Sequence, residues 1–128
     1  MATGISVANV ANRALNWLRG VAPPSVPGLY VQLHLGDPGA AGTANPSAVT
    51  ARVQATENAA SGGSMTLASV SGPWAMTATE TISHISVHDA ASGGNFLFSA
   101  ALVTPRNVVN GDTVTLTTLT VANTPLAA

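Results

Sequence analysis

Three histidines, His34, His84 and His88, have an ordinary pKa near neutrality, so a general base or metal ligand would be sought among them first. In ISHISVHD the last two stand four residues apart. On an extended strand that spacing puts both on one face yet about 13 Å apart, whereas zinc draws each nitrogen to about 2.0–2.1 Å. They do not chelate one ion together, and His34 could join one of them only across a strand pair; hydrogen-bonded or exposed histidines are the expected outcome. The acids are equally dispersed. GDPGAAGT carries a single carboxylate, Asp37, where a calcium loop supplies several oxygen side chains. Asp37-Pro38-Gly39 fits a turn, with Pro presetting φ, Gly free to take positive φ and the carboxylate accepting a nearby N–H. Nothing marks Glu57 and Glu80 as an acid/base pair, and G-x-S-x-G, H-E-x-x-H and P-loop patterns are all absent. With no cysteine, thiolate nucleophiles, disulfides and Cys zinc sites are excluded. No catalytic residue, metal or cofactor is expected.

A sugar-binding surface would need an exposed aromatic ring for stacking. The candidates are Trp17, Tyr30 and Trp74, with Phe96 and Phe98 expected to be buried. Trp74, in the turn-like SGPWAM, is the best placed, and the loops at 36–46 and 89–94, with Asp37 and Asp89, would supply polar contacts.

The elements that must position these residues are legible from periodicity. In ISVANVANRALNWLRG the residues Val7, Val10, Ala11, Ala14, Leu15 and Leu18 fall on one helical stripe, predicting an amphipathic helix over 3–20. Thr3 or Ser6 can cap it, Gly20 can take the left-handed position beyond its end, and Pro23-Pro24 prevent continuation. Trp17 lies at the stripe's edge and is expected to anchor packing. Beyond Pro27 the period becomes two. LYVQLHL alternates as a half-buried strand, and further strands are predicted at 49–56, 64–70, 81–88, 95–103 and 113–121, separated by Gly- and Asn-rich turns. NFLFSAALV is apolar on both faces, as in a central strand or one covered by a neighbouring subunit. In TVTLTTLTV the apolar parity slips at Thr117-Thr118, which a β-bulge would restore. The expectation is one domain over 1–128, with the helix at 3–20 and a β-sandwich at 28–122.

Composition bears on partners. The 128 residues are 46% hydrophobic and only 7% charged, with four arginines, no lysine and a formal net charge of -1; soluble domains average about 25% charged. A surface so poor in charge is expected to be partly hidden against other subunits, whose interface cores are depleted of charge. Four dispersed arginines cannot form the footprint that phosphate neutralisation requires, so nucleic acid is not an expected partner. No segment approaches 18 consecutive apolar residues and no signal peptide is recognisable, so neither membrane insertion nor export is expected.

Taken together, the passages ending in NWLRG, then GLYVQLHLGDPGAAGTAN, ISHISVHDAASGGNFLFSAAL and TPRNVVNGDTVTL resemble a family of small bacteriophage tail-fibre or minor tail proteins. The resemblance covers nearly the whole chain, with PSAVTARVQATENAA less aromatic than in relatives. It implies a non-enzymatic virion subunit, assembled in the host cytoplasm, with a compact β-sandwich of jelly-roll type. It further implies a homo-oligomer, most readily a trimer, that contacts other capsid or tail proteins as a fibre or capsid-decoration subunit. Binding of a host-surface glycan through Trp74 is the alternative. The surface residues expected to matter are Leu15, Trp17, Asp37, Trp74 and Asp89. Leu15 matters because the helix can either cover one sheet or dock onto a neighbour.

Overall fold

The computed structural model describes residues 3–122; the ends of the expected 1–128 domain lie outside the described residues. Alternation in LYVQLH forms β1 (Leu29–His34), the middle of an antiparallel sheet. On one side it pairs with β2 (Val53–Glu57), Val31 opposite Val53, and on the other with β6 (Glu80–His88), Leu33 opposite Ile85. Strand β4 (Leu67–Val70) and strand β7 (Phe96–Val108) form the edges, giving the order β4-β2-β1-β6-β7. Two short antiparallel ladders complete the strands: β3 (Ser64–Met65) with β9 (Val121–Ala122), and β5 (Trp74–Ala75) with β8 (Thr113–Val114). The fold is mainly β with one short N-terminal helical segment, consistent with the expected β-sandwich.

The core lies on one face of the central strands. Val31, Leu33, Val53, Ala55, Ile85 and Val87 alternate inward and meet Trp74, Met76, Ile82, Leu97, Val108 and Leu119. Each fully buried aliphatic side chain contributes about 1.5–3 kcal/mol by leaving water, so this cluster dominates the stability of the sheet.

Three expectations need correction. TVTLTTLTV is not one bulged strand: Val114 belongs to the β5–β8 ladder and Val121 to the β3–β9 ladder, with Leu119 buried between them. The parity slip marks a chain passing from one ladder to another. The second concerns NFLFSAALV, which lies at the edge of the five-stranded sheet rather than in its centre. Its apolar first half is covered by residues 4–6, where Ser6 N–H donates to Leu97 O (2.7 Å) and Ser99 N–H to Gly4 O (2.9 Å). Farther along, Ile82 faces Arg106 and His84 faces Ala101, so β7 bulges outward and carries Val103 fully into solvent. That bulge, with Pro105 in it, protects the uncovered edge against strand pairing.

The third is the helix. Residues Val7–Ala11 form a π-helical turn and Asn12–Leu18 form α1. As expected, Ser6 caps the start by accepting from Asn9 N–H (3.2 Å), and Gly20 ends it at φ 90°. Yet no residue of either segment is buried. Val7, Leu15 and Leu18 are 70%, 62% and 74% exposed, and Trp17, expected to anchor packing, is 64% exposed. Only Val10 of the stripe packs against the core, so the helix touches the body with its first turn and does not cover a sheet.

Candidate interaction surface

The histidines were the first place to look for chemistry, and the structure buries His34 and His88, while half-buried His84 meets the neighbouring Ser83 Oγ at 2.7 Å through Nδ1. Past β1 the chain forms a compact loop whose ends are pinned together, Leu35 N–H donating to Asn45 O (2.8 Å) and Ser47 N–H to Leu33 O (3.1 Å). Asp37 shapes its entry as the sequence predicts: its Oδ1 accepts from Gly39 N–H at 2.8 Å, and Gly39 sits at φ 78°. The loop lies over the polar face of β1 and β6, so Gln32 and His34 are buried where an exposed face was expected. Beneath it His34 Nδ1 meets Ala44 O at 2.7 Å, His34 Nε2 meets Ser86 Oγ at 2.7 Å, and His88 Nε2 meets the same oxygen at 3.1 Å. A carbonyl only accepts, which fixes the proton of neutral His34 on Nδ1. Its Nε2 therefore accepts from the Ser86 hydroxyl, and Ser86 Oγ accepts from His88 Nε2–H. Burial lowers both imidazole pKa values, and the Arg52 guanidinium acts in the same direction on both. A serine beside a histidine can act as a nucleophile, but Ser86 and His34 are completely buried. The network therefore holds the loop to the sheet. Among the described residues no three His, Asp or Glu side chains converge as a metal site.

The remaining polar candidates are also structural. Asp89 accepts from Asn95 N–H (2.7 Å) and Asn95 Nδ2 (2.9 Å), and these two bonds hold its carboxyl below the usual carboxylate range. Arg52 ties the same turn to the sheet, donating to Ala90 O, Gly93 O and Gln32 Oε1. Glu80 accepts from the Ser47 hydroxyl and, at 3.2 Å, from Ala48 N–H. Trp74, expected at the surface, is instead 2% exposed and donates from Nε1 to Ala51 O at 3.0 Å. Its large apolar ring is worth more in the core than in a solvent-facing turn, and the ring's one polar group finds a backbone partner there.

What the surface does offer is apolar. Among the described residues, seven of the ten large exposed hydrophobic ones, Ile5, Val7, Leu15, Trp17, Leu18, Val21 and Val26, lie in the N-terminal segment. Alongside it runs a groove of about 330 Å³, lined by Val10, Pro23, Pro24, Val26, Met65 and Phe98 among others. An adjoining hollow of about 430 Å³ shares Val26, Leu29 and Met65 with that groove and ends at Glu57. Both Glu57 carboxylate oxygens are shielded from solvent with no hydrogen-bond partner, and desolvation raises the carboxyl pKa. Residue-type reasoning weighed Glu57 only as half of an acid/base pair with Glu80 and set it aside. The signal was in VQATE, whose alternation puts Glu57 on the inward face with Val53 and Ala55.

A family profile described as "Gp80: Podophage GP4 fiber I protein gp80" matches residues 5–124, nearly the whole chain. No curated protein matches the sequence. The chain belongs to this phage fibre protein family, and so to the structural proteins of the virion.

Proposed function

We propose that this member of a podophage fibre family is a non-enzymatic structural subunit of the tail fibre, assembling with copies of itself and with other virion proteins. The observation that carries this reading is the exposed apolar helix, with Leu15, Trp17 and Leu18 each more than half exposed in a chain only 7% charged. Contiguous exposed apolar surface of this kind marks contact sites between proteins. The closed histidine network and the engaged Glu80 leave no paired groups for acid/base catalysis at those positions. A trimer is the favoured assembly, since a head-to-tail contact that closes into a ring gives each identical subunit the same cover for its exposed helix. No helix among the described residues is long and apolar enough to cross a membrane.

Sedimentation velocity of the isolated chain should show a stable oligomer. A monomer without affinity for tail or capsid proteins overturns the reading. Cryo-electron microscopy of the virion then locates it: density along the tail fibres is expected, and density solely on the capsid exterior would make it a decoration subunit. Host-glycan binding has less support, because the Trp74 ring intended for stacking lies in the core.

A further inference from the structure

The edge of β7 is completed by a segment that the chain holds on a loose connection. Ser6 N–H donates to Leu97 O (2.7 Å) and Ser99 N–H to Gly4 O (2.9 Å), so residues 4–6 lie along β7 as a short antiparallel strand with Ile5 opposite Phe98. Gly4 N–H donates to Ser99 Oγ (3.3 Å), Asn9 Nδ2 donates to Phe96 O (2.9 Å), and Val10 packs against the core. Past that foothold the docking ends. Every residue in 14–27 is exposed. Among the described residues no hydrogen bond joins this stretch to the sheet: the amides of Arg19, Gly20 and Val21 turn back to Asn16 and Trp17, and the Arg19 guanidinium reaches Asn16 Oδ1. The stretch arches over the groove of about 330 Å³, with Ala14, Pro23 and Pro24 on one wall and Met65, Leu97 and Phe98 on the other. Protein interiors pack densely with few voids, so a connection serving only its own sheet would settle its apolar residues into that space.

We propose that residues 4–10 are an exchanged segment: in the assembled protein they complete the β7 edge of a second copy of this chain, and residues 14–27 cross from one subunit to the other. This deepens the self-assembly reading and rests on it. The occupant is the one already seated in the site, so exchange replaces each bond to β7 with the same bond on the neighbour, and swapping an identical element costs little. What the assembly gains is cover. Trp17, Leu18, Val21 and Val26, all exposed in the single chain, stand on the crossing stretch and come to lie between subunits. The connection is long enough. Pro23, Pro24 and Pro27 favour an extended backbone, and residues 21–28 at about 3.3 Å each span roughly 25 Å, near the width of a small domain. Each copy gives one segment and receives one, so the contact is head-to-tail and either closes as a ring, a trimer included, or continues as a filament.

The chain contains no cysteine, so an introduced disulfide reports this contact without background. The bonds flanking Ile5 and Phe98 make them a non-hydrogen-bonded pair, with Cα atoms about 4.5 Å apart, within the span of a disulfide. The double variant Ile5→Cys with Phe98→Cys, oxidised as the assembled oligomer and run on a non-reducing denaturing gel, is expected to give covalent multimers. Equal parts of the two single variants, refolded together and oxidised, should give a dimer containing one of each, a product that neither forms alone. An oligomer whose double variant runs as a single chain with an internal disulfide, and whose single variants do not link, overturns the exchange and leaves self-assembly standing. A native chain that stays monomeric in sedimentation velocity overturns both. Phe98 packs against the core, so a second measurement covers a double variant that does not fold. A nitroxide on Ile5→Cys, an exposed position, is refolded with isotope-labelled native chain and read by NMR. Broadening of the labelled Leu97 and Ser99 amides bears out the exchange, and sharp amides in an intact oligomer overturn it.

Discussion

Ser86 is the residue on which the buried polar layer turns. Its hydroxyl donates to His34 and accepts from His88, so Ser86→Ala leaves two ring nitrogens without partners. An orphaned buried polar group costs about 1–3 kcal/mol, and the urea midpoint should fall accordingly while secondary structure is kept. Acid should attack the same layer. In the unfolded chain each imidazole protonates near pH 6.5, whereas burial lowers both values in the fold. Between those limits the unfolded chain binds more protons, so stability present above about pH 6.5 drains away as pH falls toward the folded values. Urea titrations at pH 7.5 and 5 should show this loss, and His34→Gln should reduce it; an unchanged slope would mean that His34 titrates normally. At this scale the sequence was partly legible. The Asp37 turn could be derived from Asp-Pro-Gly alone because its partner, Gly39, is two residues away. The His34–Ser86–His88 layer could not, because its partners meet only through strand register.

Elements were legible where their periodicity was local, and obscure where cover came from far along the chain. β1 and β6 fall close to where alternation predicts them, yet a half-buried strand became one buried on both faces because the loop after it folds back. Nothing in LYVQLHL encodes that cover. Gly42 does. It sits at φ 70°, and a Cβ added there would lie 2.2 Å from Phe96 Cδ1. Gly42→Ala must therefore move the loop or the ring, and a strained left-handed residue costs about 1–3 kcal/mol. Hydrogen exchange at the Leu35 and Ser47 amides, which pin the loop ends, should quicken in this variant while the β1–β6 ladder stays protected. Equal protection throughout would show that the loop absorbs the methyl without opening.

For the whole molecule, the decisive contrast is between a sheet that buries its own apolar face and a helix that leaves its stripe in water. Helical periodicity announced that stripe; only the structure shows that the described residues do not cover it. A helix with exposed Leu15, Trp17 and Leu18 contributes little to the stability of the single subunit, because apolar area stabilises only when removed from water. The scarcity of charge points the same way, since a monomer with this surface would lack the charge that ordinarily keeps proteins apart. Leu15→Asp separates folding from assembly. At 62% exposure, a carboxylate there remains hydrated in the monomer, so the melting temperature of the dissociated chain should stay within a few degrees of native, the effect of a surface substitution of about ±0.5 kcal/mol. In an assembled interface the same carboxylate would be desolvated, so the oligomer should dissociate when followed by sedimentation velocity. A variant that folds but does not assemble places the stripe in the subunit contact. One that does both leaves the stripe outside it, and one that fails to fold shows that the helix end supports its own sheet.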